Sequence, residues 1–262
     1  MSDIPTVLKD DGYNHFGDLD FYSGLLLIAT EGKIASQKGY PPIVSVFEAV
    51  SLRYLGHLQL TRQRKAGWCA VRPLDNRLYS SDSTVDRQFP VYAYNVDWDY
   101  VMNSNLPLSP GRTTGVNKGN IQLVPNAELI LRDENGNILT LNSMQGGVFS
   151  ANDHLYTMNG YCQGSTKDTG IMGFDLSSGR RYIRSTNGKG DFNFEYHTGS
   201  KFCKEEPEGI TIWDLSEFRD SKSEIKIDFK GQLHVIMIDN YDVDGPDDFY
   251  FKHYEVNAPD KL

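Results

Sequence analysis

The spacing richest in chemistry lies near the end of the chain, in Asn240-Tyr-Asp242-Val-Asp244-Gly245-Pro-Asp247-Asp248. It fits D/N-x-D-x-D-G-x-x-D, in which oxygens at alternate positions wrap a hard cation and the glycine permits the sharp turn. Asn240, Asp242, Asp244 and Asp248 are therefore candidate calcium ligands. The runs on either side, LHVIMID and FYFKHYEV, read as strands, and Phe251 holds the place of a twelfth-position glutamate. Such a site would be structural, not catalytic. The same residues also suit a solvated acidic turn, where Asp and Gly are common. A second set is scattered along the chain: His15, Asp18, Glu206 and Glu208, with Trp68 and Gln145. If brought together, the histidine and carboxylates could hold a divalent cation or move protons at an ester or phosphoester. Trp68, Tyr161 and Phe194 would then supply a stacking wall for a ligand, although aromatics of this kind also serve simply to cover a core.

Whether the second set meets depends on the elements that carry it. Between Ala66 and Leu108, strand-like runs at Trp68–Val71, Arg77–Ser81 and Pro90–Tyr94 are followed by a fourth after Asp97, with turn residues between them. Four short strands in roughly 45 residues is the sequence form of one propeller blade. The unit recurs. IVSVFEAVSLRYLGHLQL aligns with PVYAYNVDWDYVMNSNLPL, each with an alternating strand, a polar turn, an aromatic and a closing Leu-x-Leu. HLYTMNG repeats RLYSSDS, and Asp133–Gly136 and Ser177–Gly179 read as hairpin turns. Starts near His15, Gly67, Asn120, Gln145 and Glu206 mark five units of about 50 residues each. The expected fold is all-β: a single β-propeller over residues 1–262, five-bladed with four-stranded antiparallel blades. Six blades or an open sandwich are the alternatives. Residues 1–11 read as a polar lead-in, from which Thr6–Lys9 could complete the last sheet; the C-terminal strand could do so instead. In such a fold the first strand of each blade lines the axis, so His15, Asp18, Trp68, Gln145, Glu206 and Glu208 converge at the mouth of the channel. Polar residues there otherwise serve only to hydrogen-bond neighbouring blades and channel water.

The phrases GYNHFGDLDFYSG, GWCAVRPLDNRLYSSD, QGGVFSANDHLYT and EPEGITIWDL resemble the blade openings of secreted five- or six-bladed propellers, a group that includes calcium-dependent lactonases and phytase-like esterases. The resemblance covers most of the chain and implies calcium held at the channel, with EPEG similar to the glutamate-bearing first strand of those families. It departs from them in the middle of the chain, where NIQLVPNAEL offers only Asn120 and Gln122 as ligands. The closely spaced carboxylates of a multi-calcium phytase centre are also missing.

Composition narrows the partners. The net charge is −9 and no cluster of five or more Lys or Arg occurs, which argues against nucleic acid and anionic membranes. No apolar run reaches a membrane-spanning length. The opening MSDIPTVLKDDGYNHF has neither a basic region nor an apolar core like that of a leader peptide, so an extracellular or periplasmic location is expected only where a leader has been removed. Cys69 falls in a strand and is expected to be a buried thiol, whereas Cys162 and Cys203 lie in loop-like sequence where pairing is an open alternative. No G-x-S-x-G elbow, zinc-ligand spacing or phosphate loop is found. The expectation is a monomer that recognises a small molecule at the channel mouth, with calcium as its cofactor. A metal-dependent hydrolase on the same residues is the rival reading. A protein- or glycan-binding scaffold is the third.

Overall fold

The computed structural model describes residues 4–103, 106, 121–160, 170–184, 205–213, 232–239 and 248–255. Alternating residues and turn glycines produce most of the expected strands. Strands β1 (His15–Tyr22), β2 (Leu25–Glu31), β3 (Ile43–Glu48) and β4 (Tyr54–Leu60) form an antiparallel meander. The β1–β2 turn is set by Ser23 and Gly24, both at positive φ, as a tight hairpin requires. Strands β5 (Cys69–Val71), β6 (Leu78–Ser80) and β7 (Val91–Tyr94) form a second meander. The next two strands complete these sheets: β8 (Ile121–Leu123) runs parallel to β4, and β9 (Pro125–Leu129) pairs with β7. The third sheet is the four-stranded meander β10 (Met144–Phe149), β11 (His154–Asn159), β12 (Gly170–Asp175) and β13 (Arg180–Arg184). The fourth is β14 (Glu205–Trp213), β15 (Gln232–Asp239) and β16 (Asp248–Glu255).

The first strands of the four sheets, β1, β5, β10 and β14, each touch the next, and β14 returns to β1, which closes a ring of inner strands. This approach demands glycine. A Cβ on Gly17 would stand 2.3 Å from the Gly67 carbonyl oxygen, one on Gly67 would stand 2.5 Å from that of Met144, and one on Gly147 would stand 2.4 Å from the Trp68 ring. Three inner strands also slip register beside their glycines, between Phe16 and Leu19, between Met144 and Gly146, and between Pro207 and Gly209. Asp18, Gln145 and Glu208 fall within these bulges, which re-aim side chains locally. Outside the ring, apolar side chains fill the spaces between sheets. Leu27, Val46 and Leu58 pack against Cys69, Leu78 and Tyr94. Trp68, Tyr79 and Val91 pack against Phe149, Leu155 and Phe174. Tyr156, Met158 and Ile171 pack against Ile210, Val235 and Met237. Among the described residues the buried clusters thus join the first sheet to the second, the second to the third and the third to the fourth. The fourth meets the first through β14 and β1.

The fold is all-β with several sheets, and it differs from the sequence expectation in three places. The unit expected from Asn120 makes no sheet of its own; β8 and β9 are lent to the two preceding sheets, and Arg132 and Ile138 form only an isolated bridge across the Asp133–Gly136 turn. Four sheets rather than five are therefore present among the described residues. The strand expected after Asp97 is helix α3 (Trp98–Asn103), because the Asp97 carboxylate caps the Tyr100 N–H at 2.9 Å. At the matching place in the first sheet, a turn with Leu52 at positive φ sends the chain into β4 instead. Finally, Thr6–Asp11 is helix α1, closed by Gly12 at φ +97°, and it completes no sheet. Its Leu8 is buried with Tyr13, with Ile43 and with Ala35 of the short helix α2 (Lys33–Gln37). No helix among the described residues is long and apolar enough to cross a membrane.

The ring of inner strands sets a stability test. Gly17→Ala forces backbone against backbone and is expected to cost about 3 kcal/mol or more. Gly39→Ala, at φ +78° with open space around it, is expected to cost only about 1 kcal/mol. Urea denaturation of the two variants, compared with the parent protein, measures the difference.

Candidate functional site

One carboxylate lies where three inner strands meet. Asp18 on β1 is buried, its backbone N–H donates to the Gly67 carbonyl at 2.8 Å, and its side chain accepts N–H bonds from three places. These are Leu19 at 2.9 Å, Gly147 of β10 at 3.3 Å and Ile210 of β14 at 3.2 Å. Gly146 and Gly209 make room for it, since a Cβ on either would lie 3.0 Å or 2.6 Å from an Asp18 oxygen. Burial pushes the Asp18 carboxyl well above the ordinary range; the three N–H donors oppose this and the nearby Asp20 charge adds to it.

Asp20 follows two residues later on the same side of β1, the period of a strand. Its Oδ2 accepts the Val71 N–H at 2.6 Å and its Oδ1 accepts the Phe21 N–H at 2.9 Å. Burial raises its carboxyl to about 6, against the lowering effect of those two bonds. Both aspartates line a cleft of about 730 Å³ that takes in the later part of β1 and the ends of β5 and β10, together with β14 and β15. Its walls are mostly apolar. Leu19, Phe21 and Phe251 stand half or more exposed along it, beside Val148, Ile210 and Ile236. Asn76, Thr211 and His234 add polar groups, and Trp213 packs its ring 6.0 Å from that of His234. The volume falls within the range of small-molecule sites, and the mixture of an apolar lining with a few polar groups is their usual chemistry.

The structure brings together part of the predicted set. Asp18 lies at the ring of inner strands, and Gln145 and Glu208 occupy the bulges of the strands it touches; both are half-buried. His15 is elsewhere. It is exposed at the start of β1, opposite Glu31, and lines a different cleft. Trp68 is fully buried, donates its Nε1–H to the Ser81 hydroxyl at 2.8 Å and covers Gly147. Its ring thus packs the second sheet on the third and offers no open face to a ligand. Glu206 and Asp248 are placed by their backbones, opposite Ile238 and Asp239. Tyr161, Phe194, Asn240, Asp242 and Asp244 lie outside the described residues, as do Cys162 and Cys203. Cys69 is a buried free thiol, as its strand position predicted. Among the described residues no group of three metal-ligating side chains gathers. The cleft residues missed by sequence reasoning are Asp20, Phe21, Asn76, Thr211, His234 and Phe251. The first two carried a signal, the alternation in DLDFY, while the others reach the cleft only through the packing of the sheets.

The raised Asp20 carboxyl makes stability depend on pH in a definite direction. Between its ordinary value of 3.8 and about 6 the folded state binds more protons at this position than the unfolded state. The contribution of Asp20 therefore falls as pH rises through that window, by about 3 kcal/mol, and stays low above it. Asp20→Asn, which can still accept the Val71 N–H, is expected to raise the melting temperature at pH 7.5 and leave it nearly unchanged at pH 4. Thermal unfolding of both proteins across that range measures the difference.

The sequence matches no family model and no curated protein. Among solved structures it is similar to a chain of the Kuenenia stuttgartiensis hydrazine synthase, with 14% identity and a TM-score of 0.34, over 86% of this chain and 42% of that one.

Proposed function

We propose that the four sheets are the blades of a small β-propeller and that the protein binds a small molecule in the cleft where its inner strands end. The ring of contacts among β1, β5, β10 and β14, with each sheet running outward as a meander, supports the propeller. The binding reading rests on the cleft itself: exposed apolar side chains around two half- or fully buried carboxylates. Above about pH 6 Asp20 carries a charge beside an apolar wall. The complementary ligand has an apolar or aromatic body of modest size and a basic nitrogen or hydroxyl that meets Asp20. At pH 7.5, small aromatic amines and alcohols are expected to give a saturable rise in melting temperature. Asp20→Asn should weaken the tightest amine at least tenfold, and Phe21→Ser should weaken amines and alcohols alike. Calorimetric titration of the three proteins tests this, and equal affinity in all three would overturn it.

A hydrolytic reading draws on one observation, that Asp20 is held near 6 at the cleft, a value suited to proton transfer near neutrality. It would use Asp20 and not His15, which lines the other cleft. Calcium is proposed for the segment Asn240–Asp248, not for the channel, because Asp18 already spends its oxygens on three backbone donors. The pairing of Asp239 with Asp248 supports this, since residues 240–247 then connect adjacent strands and Asp248 opens the second of them. Calcium restored after chelation is expected to raise the melting temperature by several degrees, and Asp244→Ala should abolish the rise.

A further inference from the structure

The two ends of β1 carry opposite chemistry. Beyond His15 lies a second cleft, of about 460 Å³, bounded by the start of β1, the end of β2, helix α2 and the turn at Arg64 and Lys65. Three cations line it, Lys33, Arg64 and Lys65, with His15 beside them and Glu31 as the one carboxylate. In a chain of net charge −9 this is a local reversal of sign. Surface cations alone are ordinary; what sets these apart is how they are held. Asp82, itself buried, accepts the backbone N–H of Arg64 at 3.0 Å and of Lys65 at 2.9 Å through one oxygen. Glu31 accepts the next N–H, that of Ala66, at 2.8 Å. Both carboxylates bond the backbone of the turn, and both also offset part of its charge, Asp82 toward Arg64 and Glu31 toward Lys65. They fix its course while its side chains project outward. The Arg64 guanidinium lies over the Phe89 ring at 4.2 Å, which narrows its rotamers without consuming its N–H donors. Lys65 approaches Glu31 only to 4.0 Å. On the facing wall, Ser36 and Asn14 add hydrogen-bonding groups, and Pro41 with Tyr13 forms an apolar floor tied by a 2.6 Å bond from the Tyr13 hydroxyl to the Pro41 carbonyl.

We propose that this cleft is a second binding site, for a compact anion bearing two or more negative oxygens, such as a phosphate group or a small di- or tricarboxylate. Arg64 supplies a planar fork that matches such oxygens, Lys33 and Lys65 supply point charges from the two sides, and His15 adds a ring N–H. The site is independent of the ligand cleft at the other end of β1. It shares no lining residue with that cleft.

The test is titration of the full chain at constant ionic strength and pH 6.5, with inorganic phosphate in one arm and citrate in the other. Binding is read by calorimetry and by the chemical shifts of the His15 ring protons. Saturable binding with a shift of the His15 resonances is expected. Lys33→Ala and Arg64→Ala, both at exposed positions, should each weaken it at least fivefold, and Asp20→Asn should leave it unchanged. Phosphate tighter than citrate identifies a phosphate-bearing ligand, and the reverse order a carboxylate one. Both anions also stabilise folded proteins generally. A thermal rise that persists in the Lys33→Ala/Arg64→Ala double variant, without saturable calorimetric binding to the parent protein, overturns the proposal. The absence of any His15 shift does so as well.

Discussion

The buried Asp18 carboxylate and the glycines that admit it are the constraint around which the other elements are arranged. Backbone N–H groups from its own strand, from β10 and from β14 converge on one side chain, and its own N–H reaches the Gly67 carbonyl. A carboxylate removed from water is costly unless its oxygens are filled, and here three strands fill them. The arrangement works only if the strands come close enough. Gly17, Gly146 and Gly209 permit that approach where any side chain would collide with backbone, with a neighbouring isoleucine or with the carboxylate itself. The bulges follow from the same demand, because a regular pleat would not turn Asp18, Gln145 and Glu208 toward the places they occupy.

The spaces between sheets show how this centre becomes asymmetric. Three of them are filled by aliphatic and aromatic side chains from both facing sheets. Toward the fourth, Leu19 and Phe21 of β1 and Phe251 of β16 remain exposed. An apolar surface that the described residues leave uncovered invites another occupant. The candidate cleft lies here, with Asp20 as its charged group. At the start of the same strand, two carboxylates are spent on backbone donors and the cations beside them face outward. Neither arrangement requires an unusual residue; each depends on which oxygens the main chain has already claimed.

Much of the local structure was legible in the sequence. The Ser177–Gly179 turn sets a hairpin where expected, and the third sheet runs in the order its sequence suggests. The starts near His15, Gly67, Gln145 and Glu206 mark four inner strands, and the glycines that let those strands approach become explicable only from the packing. The failures came where a short strand had to choose a partner. Residues 121–129 hold two strands of three and five residues, and nothing local says that one will extend the first sheet and the other the second. Likewise IVSVF and PVYAY are true counterparts, each the third strand of its meander, but the residues after them diverge because Asp97 can cap a helix whereas the chain after Glu48 enters a tight turn. For the site, strand alternation held the clue to Asp20. Thr211 and His234 gave none, because only the docking of the fourth sheet carries them to the cleft.

The strand exchange at residues 121–129 also bears on how the molecule comes apart. Val124 alone separates a strand hydrogen-bonded to β4 from one hydrogen-bonded to β7, so a single short stretch stitches the outer edges of the first and second sheets. With their inner strands already in contact at β1 and β5, these two sheets are clasped at both margins. Neither can open without breaking ladder bonds in the other. In hydrogen exchange they would behave as one cooperative unit, to which the third sheet is tied more lightly, through the Arg132 backbone bonds to Gly179 and Arg181 and the N–H of Gly147 on Asp18.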